Sequence, residues 1–364
     1  MTKFERPLHS RELIKLAGES LKESIPETEV DEDLYQMFRI AHNWRQSHMR
    51  PMHLVRADLS GKCRKFSIQA ISAARIKRFQ SIRRKLRTTS LRLDQIQDIG
   101  GCRLIFNTID DMNNFEDLYF SDLSKFEMIK KNDYISFPKL DGYRSKHFVV
   151  KFIGKDEDSQ HNNQRIEIQI RTKLQHAWAT AVEAVGLVRQ ENLKSGEGDP
   201  NWLRLFQIMS SELAHRENQP VGRNLPENEN ERRKELLFLN KELNALNELE
   251  SYRSIIKQTE VAKSMKLNFF TLEFDPCTNT VSSGPYFFKE KNFSTKSDLD
   301  RAFDSNNSVI IEIDKFSDLR KAFPNYYLDV EMFTKELRKI IHQTTEPTFD
   351  FKIIMRDYLK RKRK

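Results

Sequence analysis

The chain has 364 residues, of which 38% are hydrophobic and 32% are charged, and it carries a net charge of +9 at pH 7. This length is sufficient for two domains with separate cores, and the composition is ordinary for a soluble protein. No apolar run approaches the ~20 residues that a membrane span requires. The first residues lack the apolar core of a signal peptide, so we expect a cytoplasmic protein with no membrane partner.

The first half of the chain predicts an α+β fold. Apolar spacing near 3.6 predicts helices over residues 10–24, 32–57 and 67–86. Strands are expected over 102–106, 128–136, 147–152 and 165–171, with helices over 111–125 and 173–189. Together they indicate a mixed β-sheet with flanking helices, preceded by N-terminal helices over residues 1–60.

The second half has a different organisation. Residues 218–230 are typical of an exposed linker, and a long connecting helix is expected over 231–264. Strands over 267–273 and 309–313 and helices over 295–303 and 330–341 predict a small C-terminal α/β module. The expected domains are therefore 1–60, 61–217, 218–266 and 267–364.

The positive charge is concentrated in one segment. Between Ser60 and Leu104 there are twelve Lys or Arg and two Asp. A cluster of this density attracts polyphosphate or nucleic acid. Within the helix expected there, one face that can meet phosphates carries four residues at separations of three and four: Lys77, Ser81, Arg84 and Lys85. Arg75 does not lie on the same face as Lys77.

The segment 133–147 reads as a shaped loop between two strands. Pro138 fixes one φ angle and Gly142 permits a positive φ, so the loop can present neighbouring cations, an aromatic ring and a histidine together. The presented side chains are Lys139, Tyr143, Arg144 and His147. An aromatic face can stack a base, at roughly 1–3 kcal/mol per base, while cations hold phosphates.

Two carboxylates are the candidate magnesium ligands. Mg²⁺ prefers one or two carboxylates together with substrate phosphates. Asp98 stands just before Gly100-Gly101, where the backbone can approach a ligand closely. Glu167 belongs to a strictly alternating strand whose polar face also carries Arg165, Gln169 and Arg171.

Three blocks within residues 60–190 resemble the synthetase domain of the RelA/SpoT family, the pyrophosphokinases that make the alarmone ppGpp. They are residues 75–106, 133–147 and 167–172. The resemblance implies a nucleotidyltransferase-like fold and a Mg²⁺-dependent transfer of pyrophosphate from ATP. It assigns the metal to Asp98 and Glu167, with Glu167 alternatively taking the proton from the attacking hydroxyl. The implied ATP-binding residues are Arg75, Lys77, Ser81, Lys85 and Arg103. The implied catalytic residues are Asp98, Glu167, Gln169 and Arg171, and the acceptor-binding residues are Lys139, Tyr143, Arg144 and His147.

Two local variants are similar to the toxic small alarmone synthetases. They are Asp141-Gly-Tyr-Arg-Ser-Lys146-His and the segment from Lys173 to Glu183. This resemblance implies that the acceptor is the 3′ CCA end of tRNA and that the reaction blocks translation. The alternatives are a ppGpp or pppGpp synthetase that uses GDP or GTP, and a non-catalytic RNA-binding protein on a synthetase fold.

The C-terminal region resembles the antitoxin part of fused toxin–antitoxin proteins of phage defence, the CapRel-like proteins. The residues that carry this resemblance are Glu273-Phe-Asp-Pro and the segment from Leu319 to Asp329. It implies a zinc-finger-like module without zinc that inhibits the synthetase and responds to a phage protein. The implied autoinhibitory residues are Phe323, Tyr326 and Tyr327, and Phe323 departs from the Tyr-x-x-Tyr pattern of that group.

Overall fold

The computed structural model describes residues 4–23, 32–120, 126–255, 257–260, 269–275, 278, 280–286 and 308–344. The chain divides into two compact units. The first comprises Met1–Asn132, Lys146–Ile170 and Lys257–Ala322, and the second Asp133–Ser145, Arg171–Ile256 and Phe323–Lys364. The segment expected as a C-terminal module is thus divided between the two units after Ala322.

The first unit is built on one mixed sheet. Its strands are β1 (Ala70–Ile76), β2 (Gly100–Phe106), β3 (Phe126–Asp133), β4 (Lys146–Phe152), β5 (Arg165–Thr172), β6 (Lys257–Glu260), β7 (Phe269–Asp275), β8 (Thr280–Pro285) and β9 (Ser308–Ile313). The strand order is β3-β4-β5-β2-β1-β9-β7-β8-β6. Its helices are α1 (Arg11–Ser20), α2 (Glu32–Ser47), α3 (Met49–Lys65), α4 (Phe79–Thr88), α5 (Ile109–Phe120) and the single turn α10 (Leu319–Ala322). The predicted α+β class, a mixed sheet with flanking helices, is confirmed.

The C-terminal strands extend the sheet of the first unit instead of forming a sheet of their own. β9 pairs antiparallel with β1, with Arg75 opposite Ile311 and Ala73 opposite Ile313. On β9, the buried Glu312 accepts from Arg56 of α3 at 2.7 Å and lies 2.5 Å from His53 Nδ1. Strand pairing and a buried charge cluster therefore attach the C-terminal strand to both the sheet and the N-terminal helices.

The second unit is helical. Its helices are α6 (Lys173–Arg189), α7 (Pro200–Arg216), α8 (Glu229–Leu243), α9 (Ala245–Ile255) and α11 (Glu331–His342). Its core joins Trp178 of α6 and Phe206 of α7 to Phe333 and Leu337 of α11. Because Phe333 and Leu337 are fully buried, α11 is an integral part of this helical core.

One sequence prediction was wrong: residues 67–86 do not form a single helix. Ala70–Ile76 form β1, which pairs along its whole length with β2, and α4 begins only at Phe79. Arg75 therefore lies on a strand. Local spacing favoured a helix, but pairing with two neighbouring strands satisfies the backbone groups of this segment in the sheet.

Two of the long helices are interrupted. The helix expected over 32–57 divides at His48 into α2 and α3. The helix expected over 231–264 divides at Asn244, which has a left-handed φ of +49° and ends α8. The prediction was wrong at its C-terminal end, because α9 ends at Ile255 and Lys257–Glu260 form β6. Strands β6 and β8 were not predicted, and the helix expected over 295–303 lies outside the described residues. No helix among the described residues is long and apolar enough to cross a membrane.

Candidate active site

Asp98 is the centre of the charged cluster in the first unit. Lys77 Nζ lies 2.7 Å from Asp98 Oδ2, and Lys85 Nζ lies 2.9 Å from Asp98 Oδ1. Lys77 directly follows β1, Lys85 lies on α4, and Asp98 precedes β2. The backbone N–H of Lys77 also donates to the carbonyl of Ile99 at 2.8 Å, which fixes the approach of the two segments. The structure thus brings together three residues that the sequence placed in one site.

The two ammonium groups keep Asp98 ionised. Burial alone would raise the pKa of this carboxyl, but the charges and hydrogen bonds of Lys77 and Lys85 outweigh burial and lower it to about 2. The pKa of Lys77 is lowered by burial and by the positive charges of Arg75 and Lys85, against the opposing effect of Asp98. At neutral pH the Asp98 carboxylate is therefore ionised and forms ion pairs with two lysines.

Glu167 is the second carboxylate, and a chain of polar side chains holds it. His147 Nδ1 lies 2.9 Å from Glu167 Oε1, and Gln169 Nε2 donates to Oε2 at 2.7 Å. Burial raises the pKa of Glu167 and the charge of Asp98 adds to this, but the interaction with His147 and the bond from Gln169 lower it overall. Glu167 is therefore an ionised carboxylate held by His147 and Gln169.

Two further ATP-binding candidates, Arg75 and Arg103, lie on neighbouring strands of the sheet. Arg75 pairs with Gly101 and Arg103 pairs with Ala73, so both arginines project from the same face of β1 and β2. Arg103 donates to Gln169 Oε1 and to the carbonyl of Ala322, each at 3.5 Å. A C-terminal turn therefore reaches the guanidinium that was expected to bind ATP.

Only part of the basic segment forms this site. Ser81 lies exposed on α4, four residues before Lys85. Arg83 and Arg87, on the same helix, donate to backbone carbonyls of residues 21–23. These two arginines therefore bind the backbone that directly follows α1, which is a structural use of part of the predicted phosphate-binding cluster.

In the second unit, residues 133–145 form a loop with a defined backbone. We call it the acceptor loop, after the role predicted for its side chains. Gly142 has a φ of +94°, and a Cβ there would lie 3.0 Å from Ser210 Cβ, so glycine is required on both conformational and steric grounds. Tyr143 N donates to Asp141 Oδ1 at 2.8 Å. Lys139 Nζ lies 5.2 Å from the centre of the Tyr143 ring, which confirms that these two predicted residues are neighbours.

Two cations near this loop have structural partners. Arg144 is buried, and it donates to Ser210 Oγ at 3.0 Å and to the carbonyls of Ile135 and Pro220 at 3.1 and 2.7 Å. Burial lowers its pKa to about 10. This geometry supports a structural role, so we leave Arg144 out of the proposed acceptor site.

Lys146, the second cation, belongs to the first unit and contacts Glu116 Oε2 at 2.5 Å and Asn113 Oδ1 at 2.9 Å. Its charge is balanced by Glu116, with which Lys131 also forms an ion pair. Lys146 was part of the sequence motif that suggested tRNA, a polyanion, as the acceptor. Its contacts with α5 give this lysine of β4 a structural explanation instead.

The other predicted residues of the second unit are buried. Arg171, at the end of β5, is 4% exposed. Phe323, Tyr326 and Tyr327 are 2%, 3% and 7% exposed. The last three lie in and beside a 3₁₀ turn, Pro324–Tyr327, and their burial supports a packing role.

The sequence reasoning missed Tyr134. Its ring lies 4.6 Å from Lys139 Nζ and 6.2 Å from the ring of Tyr143. An aromatic residue five positions before a loop lysine was the available signal. What the sequence did not show is that Tyr134 N donates to the carbonyl of Ser145, which closes the loop and brings its two ends together.

Comparison with known proteins shows a similarity over the segment that contains this site. Residues 74–187 match the family described as the region found in RelA/SpoT proteins. The matched segment contains Asp98, Glu167 and the acceptor loop. The part of this chain that is similar to the family therefore includes the strands that hold both carboxylates.

Individual relatives cover limited parts of the chain. The GTP pyrophosphokinase YjbM of Bacillus subtilis is 32% identical over 145 residues, 39% of this chain and 65% of that protein. The GTP pyrophosphokinase YwaC of the same organism is 33% identical over 113 residues, 29% of this chain and 53% of that protein. The GTP pyrophosphokinase rsh of Brucella ovis is 36% identical over 119 residues, 33% of this chain and 15% of that protein. The chain thus spans less than two thirds of each of these relatives.

Among solved structures, small alarmone synthetase 1 of Bacillus subtilis bound to its product pppGpp has a TM-score of 0.42 at 23% identity. The match covers 51% of this chain and 94% of that one.

Proposed function

We propose that the protein is a Mg²⁺-dependent pyrophosphotransferase with ATP as the donor and GDP or GTP as the acceptor. The observation that carries this proposal is the convergence of Lys77 and Lys85 on Asp98 inside a RelA/SpoT region. The similar proteins YjbM and YwaC are GTP pyrophosphokinases, which favours a guanosine nucleotide over tRNA as the acceptor.

Asp98 and Glu167 fit a magnesium ion by their chemistry. Both have lowered pKa values, so both are carboxylates at neutral pH. The described residues contain no group of three or more His, Cys, Asp or Glu side chains suited to a metal, and Mg²⁺ needs only one or two carboxylates when phosphates supply the other ligands. When bound there, the ion would neutralise charge on the phosphate oxygens.

The surrounding side chains have matching roles in the transfer. An acceptor hydroxyl oxygen bonds to the β-phosphorus of ATP, the bond from that phosphorus to the α,β-bridging oxygen breaks, and AMP leaves with that oxygen. Glu167, oriented by His147, either helps to hold the ion or takes the hydroxyl proton. Lys77, Lys85 and Arg75 donate to phosphate oxygens, so positioning and electrostatic stabilisation supply the rate enhancement. In the acceptor loop, Tyr143 stacks the base.

A second candidate acceptor is the 3′ end of tRNA. Phe137 and Leu140 of the acceptor loop are 69% and 65% exposed. The exposed ring of Phe137, two residues before Lys139, can stack a second nucleotide. A mononucleotide acceptor has no second nucleotide. This observation favours a polynucleotide, and the same assay tests both acceptors.

The test is transfer of label from γ-labelled ATP in the presence of Mg²⁺, with GDP, GTP and bulk tRNA offered separately. Label on the guanosine nucleotide supports the main proposal, and label on tRNA supports the second candidate. The matched controls are Asp98→Ala, which is expected to be inactive, and Asp94→Ala nearby. An active Asp98→Ala variant, or a folded protein that labels none of the acceptors, rejects the proposal.

We further infer that the C-terminal segment restrains the enzyme. Three features support this: the Ala322 carbonyl accepts from Arg103, α10 contacts β1, and β9 pairs beside Arg75. ATP binding at these arginines competes with the turn. Inhibition by the region of Phe323, Tyr326 and Tyr327 and release by a phage protein remain predictions.

A point variant tests this restraint better than a truncation. Leu319 is 2% exposed and anchors α10, so Leu319→Ala is expected to loosen the turn and raise the rate of pyrophosphate transfer. Lys321→Ala, whose side chain is 64% exposed in the same turn, is the matched control and should leave the rate unchanged. A folded Leu319→Ala variant with the wild-type rate excludes this restraint.

A further inference from the structure

The ammonium of Lys139 lies between two tyrosine rings. Its Nζ is 4.6 Å from the ring centre of Tyr134 and 5.2 Å from that of Tyr143. Both distances fall within the ~6 Å over which a cation is attracted to an aromatic face. The rings are 6.2 Å apart with an interplanar angle of 62°, an edge-to-face arrangement that is itself favourable. We call these three residues the Tyr–Lys–Tyr clamp.

The backbone that carries the clamp is closed by hydrogen bonds. Tyr134 N donates to the carbonyl of Ser145 at 3.0 Å, and Lys139 N donates to that of Tyr143 at 3.4 Å. Gly142 N donates in turn to the carbonyl of Lys139 at 2.9 Å. The positions of the three Cα atoms are therefore fixed, and the arrangement of the side chains follows from a rigid loop.

Within the clamp, the lysine is the exposed member. Both tyrosine rings are half-buried, and Tyr143 also packs against the core of the second unit. A free lysine side chain loses about 2 kcal/mol of rotamer entropy when it is immobilised. Tyr134 is the closer ring, so it can retain the ammonium when a base takes the face of Tyr143.

We propose that Tyr134 is a positioning residue for an anionic acceptor, and this inference rests on the proposed function. Tyr134 holds the ammonium of Lys139 beside the ring of Tyr143. A nucleotide that stacks on Tyr143 then meets a cation that is already in place, and less entropy is lost on binding. Tyr134 acts through Lys139 and makes no contact with the acceptor.

The first test is Tyr134→Leu in the full chain. The acceptor KM is expected to rise about 2- to 5-fold, the ratio that corresponds to ~0.5–1 kcal/mol for an exposed cation–π contact. The kcat and the KM for ATP should not change. Tyr134→Phe retains the ring, so it should keep the wild-type acceptor KM. If Tyr134→Phe raises the KM as much as Tyr134→Leu, the ring face is not the cause and the proposal is overturned.

A double-mutant cycle separates positioning from packing. In a Lys139→Met background the ammonium is absent, so adding Tyr134→Leu should raise the acceptor KM no further. If Tyr134→Leu has the same effect in both backgrounds, Tyr134 only packs in the loop and the inference fails.

A readout that needs no substrate distinguishes this inference from the proposed function. After reductive methylation with ¹³C-formaldehyde, the Lys139 signal, identified by its loss in Lys139→Met, should show a ring-current shift. The shift should disappear in Tyr134→Leu and persist in Tyr134→Phe, and its absence in wild-type protein overturns the clamp. A wild-type protein that uses no acceptor rejects the proposed function and with it the acceptor role. An active wild type with unchanged Tyr134→Leu kinetics rejects the inference alone.

Discussion

The clearest structural prediction concerns α11, which the sequence placed in a separable C-terminal module. Leu337 of this helix is fully buried in the core of the second unit. Replacing it with alanine removes the equivalent of three methylene groups and leaves a cavity, so Leu337→Ala should lower the free energy of unfolding by about 3 kcal/mol. For a domain of roughly 150–250 residues this corresponds to a fall in Tm of about 6–12 °C.

The assay is urea and thermal unfolding of the full chain, followed by circular dichroism. Met332 of the same helix is 43% exposed, so Met332→Ala is the matched control and should change stability by less than about 0.5 kcal/mol. A loss below about 1 kcal/mol in Leu337→Ala would show that α11 is not part of the core. If the reasoning holds, deleting everything after residue 265 destabilises the second unit, and such a truncation does not report on inhibition.

Three further outcomes are expected. Asp98→Ala should reduce pyrophosphate transfer about 100-fold or more in a labelled-ATP assay, because the carboxylate that pairs with Lys77 and Lys85 is lost. A comparable loss of activity in Asp94→Ala would contradict the assignment of Asp98. Burial lowers the pKa of His48 from 6.5 to about 4, so stability should be complete above pH 6.5 and fall by ~3 kcal/mol as the pH drops to 4, since only the unfolded chain binds the proton there. Urea titrations across this range should show the slope, and His48→Gln should reduce it. Arg144→Met should lower the free energy of unfolding by ~2 kcal/mol, because buried acceptors lose their donor; an unchanged melting curve would count against its structural role.

The sequence alone was sufficient to locate the carboxylates, the cations and the shaped loop. Asp98, Lys77 and Lys85 were predicted to act together, and their side chains form two ion pairs. This succeeded because charged residues and glycine turns carry local chemical requirements that residue identity reveals. The alternating polar face of β5 was readable for the same reason, since a strand repeats every two residues.

Tertiary structure decided which cations are available and where the C-terminal region belongs. Arg144 and Lys146 looked like acceptor contacts, but burial and the partners of each give them structural roles. Residues 70–76 became a strand because β2 and β9 offered backbone partners that lie far away in sequence. Long-range pairing and burial depend on residues that are distant along the chain, so local periodicity cannot specify them.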